Sequence, residues 1–147
     1  MTNINPETLK VFGFWGSILV LKVLAMSPLT ARQRFAKQIF ANPEDVSLAK
    51  NSKAKIVYDD PDVERVRRAH LNDLENIVPW FIITYIWLST GPSVALAKIL
   101  IRTFALSRVA HTLAYVIIQQ QPTRVISFFI AYLIIGYEAL VSLLHYC

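Results

Sequence analysis

The sequence predicts an all-α membrane protein, a bundle of four antiparallel transmembrane helices. Three observations point there. The 147-residue chain is 54% hydrophobic and only 17% charged, whereas a soluble domain has about a quarter of its residues charged, and its mean hydropathy is +0.43. The charges are clustered, which leaves apolar stretches near the roughly 20 residues that cross a hydrocarbon core of about 30 Å. Gly91-Pro92 and Gln121-Pro122 then break the apolar region with turns too short for anything except antiparallel neighbours. This composition excludes a disordered or collagen-like chain.

The first span is expected at about residues 9–29. It carries Lys10 and Lys22, and Leu24-Ala25-Met26-Ser27 is a poor cleavage site. The run therefore reads as a retained span that doubles as the targeting signal. Residues 30–62 form a basic connection with Arg32, Arg34, Lys37, Lys50, Lys53 and Lys55, interrupted by Asn42-Pro43-Glu44-Asp45. The positive-inside rule puts it in the cytosol, and the turn before Arg124 with it, so both termini lie on the other side. The second span is almost wholly apolar only from about Ile77 to Thr90, which is too short to cross. It reaches full length, about 64–90, only if the helix begins inside the polar stretch VERVRRAHLNDLENIVPWF, Val63–Phe81. Spans three and four fall at about 93–119 and 124–146, and the whole chain is one domain without internal repeats.

The net charge of +5 would suggest nucleic acid in a soluble protein. Here the basic cytosolic loop absorbs it, and no nucleic-acid partner is expected. Cys147 is the sole cysteine, so neither an internal disulfide nor a Cys/His metal site is expected.

At about 3.6 residues per turn, Arg65, Arg68, Asn72, Glu75 and Pro79 share one stripe of the second helix. A solvated helix start is the bland reading of such a run. The short apolar segment instead pulls the stripe into the membrane, where Glu75 needs a partner. Span three offers a second stripe, Arg108, His111 and Tyr115. Arg108 cannot shed its charge and must find an anion, while His111 could equally be a packing histidine. Lys98 and Arg102 share another face, Lys98 being expected to snorkel to the far interface; Glu138 in span four has no evident partner. Arg34, Arg68, Arg108 and Arg124, with Asn72, His111, Tyr115 and Glu75, gather toward the cytosolic half. Such a pocket suits a small polyanion that also carries an ammonium group, the arginines taking carboxylates and Glu75 the amine. Neighbouring lipid gives access to apolar substrates.

Four motifs add a resemblance: FANPED at Phe40–Asp45, RVAHTLAY at Arg108–Tyr115, QPTR at Gln121–Arg124 and, more weakly, SFF at Ser127–Phe129. In this order and spacing they cover nearly the whole chain, which resembles the membrane-associated proteins in eicosanoid and glutathione metabolism, the MAPEG superfamily. The resemblance implies a MAPEG-like four-helix homotrimer in the endoplasmic reticulum membrane, with the outer mitochondrial membrane as a second location. It implies glutathione as co-substrate, bound between subunits by Arg34, Arg68, Asn72, Glu75, His111, Tyr115 and Arg124. Arg124 would stabilise the thiolate, and Asp45 would assist proton transfer unless it only shapes the NPED turn. Arg65 and Arg108 would serve ion pairing and helix packing. The implied activity is transfer of the glutathione thiolate to lipophilic electrophiles, with reduction of lipid hydroperoxides and no metal. Two alternatives stand beside it: a prostaglandin isomerase, and a non-catalytic lipid-binding member that presents lipid to a partner enzyme. Against the isomerase, its members have Arg, Ser and Tyr where this chain has Leu71, Val125 and Phe128. Val46 stands where a thiol-activated transferase of the family has cysteine, which implies no such activation here.

Overall fold

The computed structural model describes residues 4–48 and 54–147; Lys50 and Lys53 of the basic connection lie outside them. Four helices carry the fold: α1 (Pro6–Lys37), α2 (Pro61–Ser89), α3 (Val94–Thr112) and α4 (Gln121–Tyr146).

Their ends follow from local chemistry. The Asn5 side chain accepts the Glu7 N–H at 2.8 Å just ahead of Pro6, a residue that has no N–H to leave unpaired at a helix start. Gln38, left-handed at φ 55°, closes α1 by donating its N–H to the Arg34 and Phe35 carbonyls. Asp60 caps α2, its Oδ1 accepting from Asp62 N and Val63 N at 3.1 and 3.2 Å. The Asp60-Pro61 start therefore sets the whole polar cluster inside a helix of 29 residues, about 44 Å long at 1.5 Å per residue. Ser93 caps α3 through the Leu96 N–H. At its far end α3 widens into a π turn, Leu113–Ile117, closed by Ile118 N–H to Leu113 O at 2.9 Å. Gln119 at φ 57° then turns the chain into α4.

Around the bundle, α1 packs on α2 and α3, and α4 packs on the same two helices, while the backbones of α1 and α4 do not approach each other. Short turns join α2 to α3 and α3 to α4, and both pairs run antiparallel. Only α3 and α4 are close neighbours, however; α2 and α3 lie diagonally and their backbones barely approach. Large side chains span that diagonal. Trp80 stacks on Phe104 with ring centroids 4.6 Å apart and planes 3° from parallel, and Phe12 and Phe81 complete the aromatic core. The bulk of these rings keeps the backbones apart, which turn length alone does not reveal.

Between α1 and α2, β1 (Ile39–Phe40) and β2 (Lys55–Ile56) form a two-residue parallel bridge, and Pro43–Leu48 make a 3-10 turn. Lys37 fastens this connection to the start of α2, with Nζ 2.8 Å from Asp60 and 2.5 Å from Asp62. By length and composition α1 and α4 can each cross a membrane. Phe14, Leu21, Ile82, Leu133 and Leu144 are all at least 60% exposed, a surface suited to acyl chains.

Candidate functional site

The polar interior centres on Asp73, a fully buried carboxylate of α2. Its Oδ1 accepts from Arg108 Nη2 at 2.8 Å and pairs with Lys22 of α1. Thr112 Oγ1 stands 3.5 Å from its other oxygen. Arg108 Nη2 also reaches Asn72 Oδ1 at 2.8 Å and the Asn72 carbonyl at 3.3 Å. The anion that Arg108 requires is therefore Asp73, and not Glu75. The stripe expected to turn inward is correspondingly displaced. Val63, Val66, Ala69, Asp73, Ile77 and Trp80 are buried, whereas Arg68, Glu75 and Pro79 are exposed and Arg65 is half-buried with an unpartnered Nε. The buried stripe is offset by about one residue, or 100° of rotation, because the large apolar residues Val66, Ile77 and Trp80 take the inward positions.

Beside this cluster a pocket of about 220 Å³ opens among Asn72, His111, Tyr115, Arg124, Val125, Phe128 and Phe129. Each wall has a structural cause. His111 lies on the last turn of α3 and Tyr115 on the π turn, their rings 5.6 Å apart. Arg124 sits in the first turn of α4, and its guanidinium lies 4.6 Å from the centre of the Tyr115 ring. That cation–π contact orients the charge without using up its donors. Phe128 follows one turn later, stacked on Tyr132. The pocket thus presents one fixed cation, an amide, an imidazole and a phenol beside an aromatic wall. These suit an anionic sulfur or a carboxylate with an apolar co-reactant alongside.

Not every expected site residue is here. Arg34 is in the last turn of α1, donating to Val57 O at 3.4 Å. Arg68 and Glu75 project from the exposed face of α2. Among the described residues no carboxylate lines this pocket. Asp45 accepts from Asn42 Nδ2 at 3.0 Å and its N–H bonds to Asn42 O, which makes it part of the NPED turn. Glu138 is buried and accepts from Thr84 Oγ1 at 2.6 Å. Lys98 pairs with Glu7 at 2.7 Å. Sequence reasoning missed Asp73 and Lys22. For Lys22 the signal was present, a charge inside an apolar run that demands a partner; Asp73 carried no such mark, because it sits among Asn72, Glu75 and Asn76 in a polar stretch.

Residues 12–144 match the MAPEG family. The chain belongs to the MAPEG family. It is 43% identical over 130 residues to microsomal glutathione S-transferase 1 of Mus musculus, covering 87% of this chain and 84% of that one. The Homo sapiens protein of the same name is 42% identical over the same shares. Prostaglandin E synthase of Bos taurus is 34% identical over 129 residues, 88% of this chain and 83% of that one. The resemblance drawn from FANPED, RVAHTLAY and QPTR is therefore correct, and the chain is a membrane protein.

Proposed function

We propose that this protein is a glutathione transferase of the endoplasmic reticulum membrane. In this reading it joins the glutathione thiolate to lipophilic electrophiles and reduces lipid hydroperoxides at the expense of glutathione. What carries the reading is the placement of Arg124 over Tyr115 beside an aromatic wall, in a chain 42–43% identical to glutathione S-transferases. A free thiol has a pKa of about 8.5 and is mostly protonated at neutral pH. A fixed guanidinium favours the anion, each unit of lowering corresponding to about 1.4 kcal/mol. The thiolate then attacks an electrophilic carbon: the C–S bond forms, the bond to the leaving group breaks, and the group departs with the electron pair. With a hydroperoxide the sulfur takes the distal oxygen, and a second glutathione closes the cycle to disulfide, alcohol and water.

Arg68 and Glu75 support a further part of the proposal, that the site is completed by a second subunit of a homotrimer. Glu75 stands about 21 Å along α2 from Pro61 on an exposed face. A carboxylate facing lipid at that depth costs several kcal/mol, and a neighbouring protomer's ligand amine would offset this. Arg34, Arg68 and Glu75 of one protomer would then face Asn72, His111, Tyr115 and Arg124 of the next. Prostaglandin isomerase chemistry is the weaker reading, because Val125 and Phe128 line the pocket and supply no hydroxyl.

Arg124→Ala separates these readings. Turnover with a chlorinated nitrobenzene should fall by more than glutathione affinity does, and the ultraviolet band of the thiolate should vanish. Equal losses in turnover and affinity would remove Arg124 from the chemistry. Glu75→Gln should weaken glutathione binding and leave the turnover of saturated enzyme near wild type; unchanged affinity excludes Glu75 from the site.

A further inference from the structure

Arg108 is fully buried and is not part of the pocket wall, yet it is bonded to that wall through Asn72. Its Nη2 donates to Asn72 Oδ1 at 2.8 Å and to the Asn72 carbonyl at 3.3 Å, while Asp73 holds the same nitrogen at 2.8 Å. A guanidinium offers donors only, so this contact decides which way the Asn72 amide points. Oδ1 turns inward to Arg108, and Nδ2 is left on the other side. Among the described residues Nδ2 donates to no protein acceptor, and Asn72 lines the pocket. Asn76 Nδ2 adds a bond of 2.7 Å to the same Asn72 carbonyl, which steadies this turn of α2.

We propose that Arg108 is a positioning residue for ligand binding: by holding Asn72 Oδ1 it aims the amide N–H pair into the pocket as donors for a carboxylate or peptide carbonyl of the bound ligand. Asp73, itself paired with Lys22, keeps the Arg108 guanidinium in place. The identity of that ligand rests on the glutathione reading above; the orientation of the amide rests on the bond to Arg108.

The test is a double-mutant cycle on full-length protein in detergent micelles, reading glutathione affinity by calorimetry. Asn72→Ala and Arg108→Met should each weaken binding about tenfold, the loss of one good hydrogen bond to a charged group. If Arg108 acts through Asn72, the double variant is also about tenfold weaker, not a hundredfold. KM for glutathione should rise while the turnover of saturated enzyme changes little, a split that a general loss of packing would not produce. Should Arg108→Met fail to fold, Arg108→Lys keeps a cation beside Asp73 without the fork and is read in the same cycle. Additive losses, or wild-type affinity in a folded Arg108 variant, overturn the positioning role alone. Wild-type protein that binds no glutathione overturns the glutathione reading and this proposal together.

Discussion

Replacing Asp73 by Asn tests how the polar interior is held. The substitution preserves shape but removes the negative charge between Lys22 and Arg108, whose nitrogens reach the same carboxylate oxygen. Two hydrogen-bond lengths set those cations about 5 Å apart. At an effective dielectric of about 20, unit charges at that distance repel by about 3 kcal/mol. Removing one partner from a buried ion pair costs about 3–5 kcal/mol in proteins generally, and Asp73 is wholly buried, so the expected loss lies in that range. Tryptophan fluorescence follows it well during titration of mixed micelles with dodecyl sulfate, because Trp80 stacks on Phe104 in the core. Adding Lys22→Met to Asp73→Asn returns the cluster to a single cation and should restore about the 3 kcal/mol of repulsion. If Asp73→Asn unfolds together with wild type, the ion cluster does not hold the bundle and the argument fails.

Other outcomes follow from single contacts. A Cβ on Gly16 would stand 2.8 Å from the Phe81 ring, which is itself packed on Trp80 and Phe12. Gly16→Ala should therefore cost about 1–3 kcal/mol in the same detergent titration. The hydrogen bond from Lys37 holds the Asp60 carboxyl below its usual range, and Asp60, then Asp62, raise Lys37 above its own. The carboxylate contributes above its unfolded pKa and loses that contribution as pH falls through its lowered folded value. Lys37 contributes below its unfolded pKa and loses it as pH rises through the raised one. This anchor is thus intact across neutral pH, and Lys37→Met should move the Asp60 titration upward, as carboxyl-carbon NMR would show. With Val46 after the NPED turn and Cys147 exposed at the end of the chain, a thiol alkylator should leave conjugation activity unstimulated; strong activation would contradict the reading of the NPED loop.

Some of this architecture is legible in the residues themselves. Asp60-Pro61 and Asn5-Pro6 start helices because a side-chain oxygen and a missing N–H satisfy the first turn wherever that turn sits. Asn42-Pro43-Glu44-Asp45 makes a turn on its own hydrogen bonds. QPTR and RVAHTLAY identify the family because they keep polar residues where an apolar helix would otherwise exclude them. The π turn that carries Tyr115 has no such mark: nothing in Leu113–Ile117 departs from an ordinary helical sequence, and only the passage into α4 reveals it.

The sequence by itself determined the family and the long apolar helices, since each depends on residue type and local spacing, and it named Asn72, His111, Tyr115 and Arg124, which line the pocket, together with Arg34, Arg68 and Glu75, which do not. Tertiary structure alone decided that Arg108 answers Asp73 and not Glu75, that Lys22 joins them, and that α2 and α3 meet only across the diagonal. The reason is rotational. Helical periodicity defines stripes but does not choose which one turns inward, and that choice belongs to the rings of Trp80 and Phe104 and the charges that other helices bring.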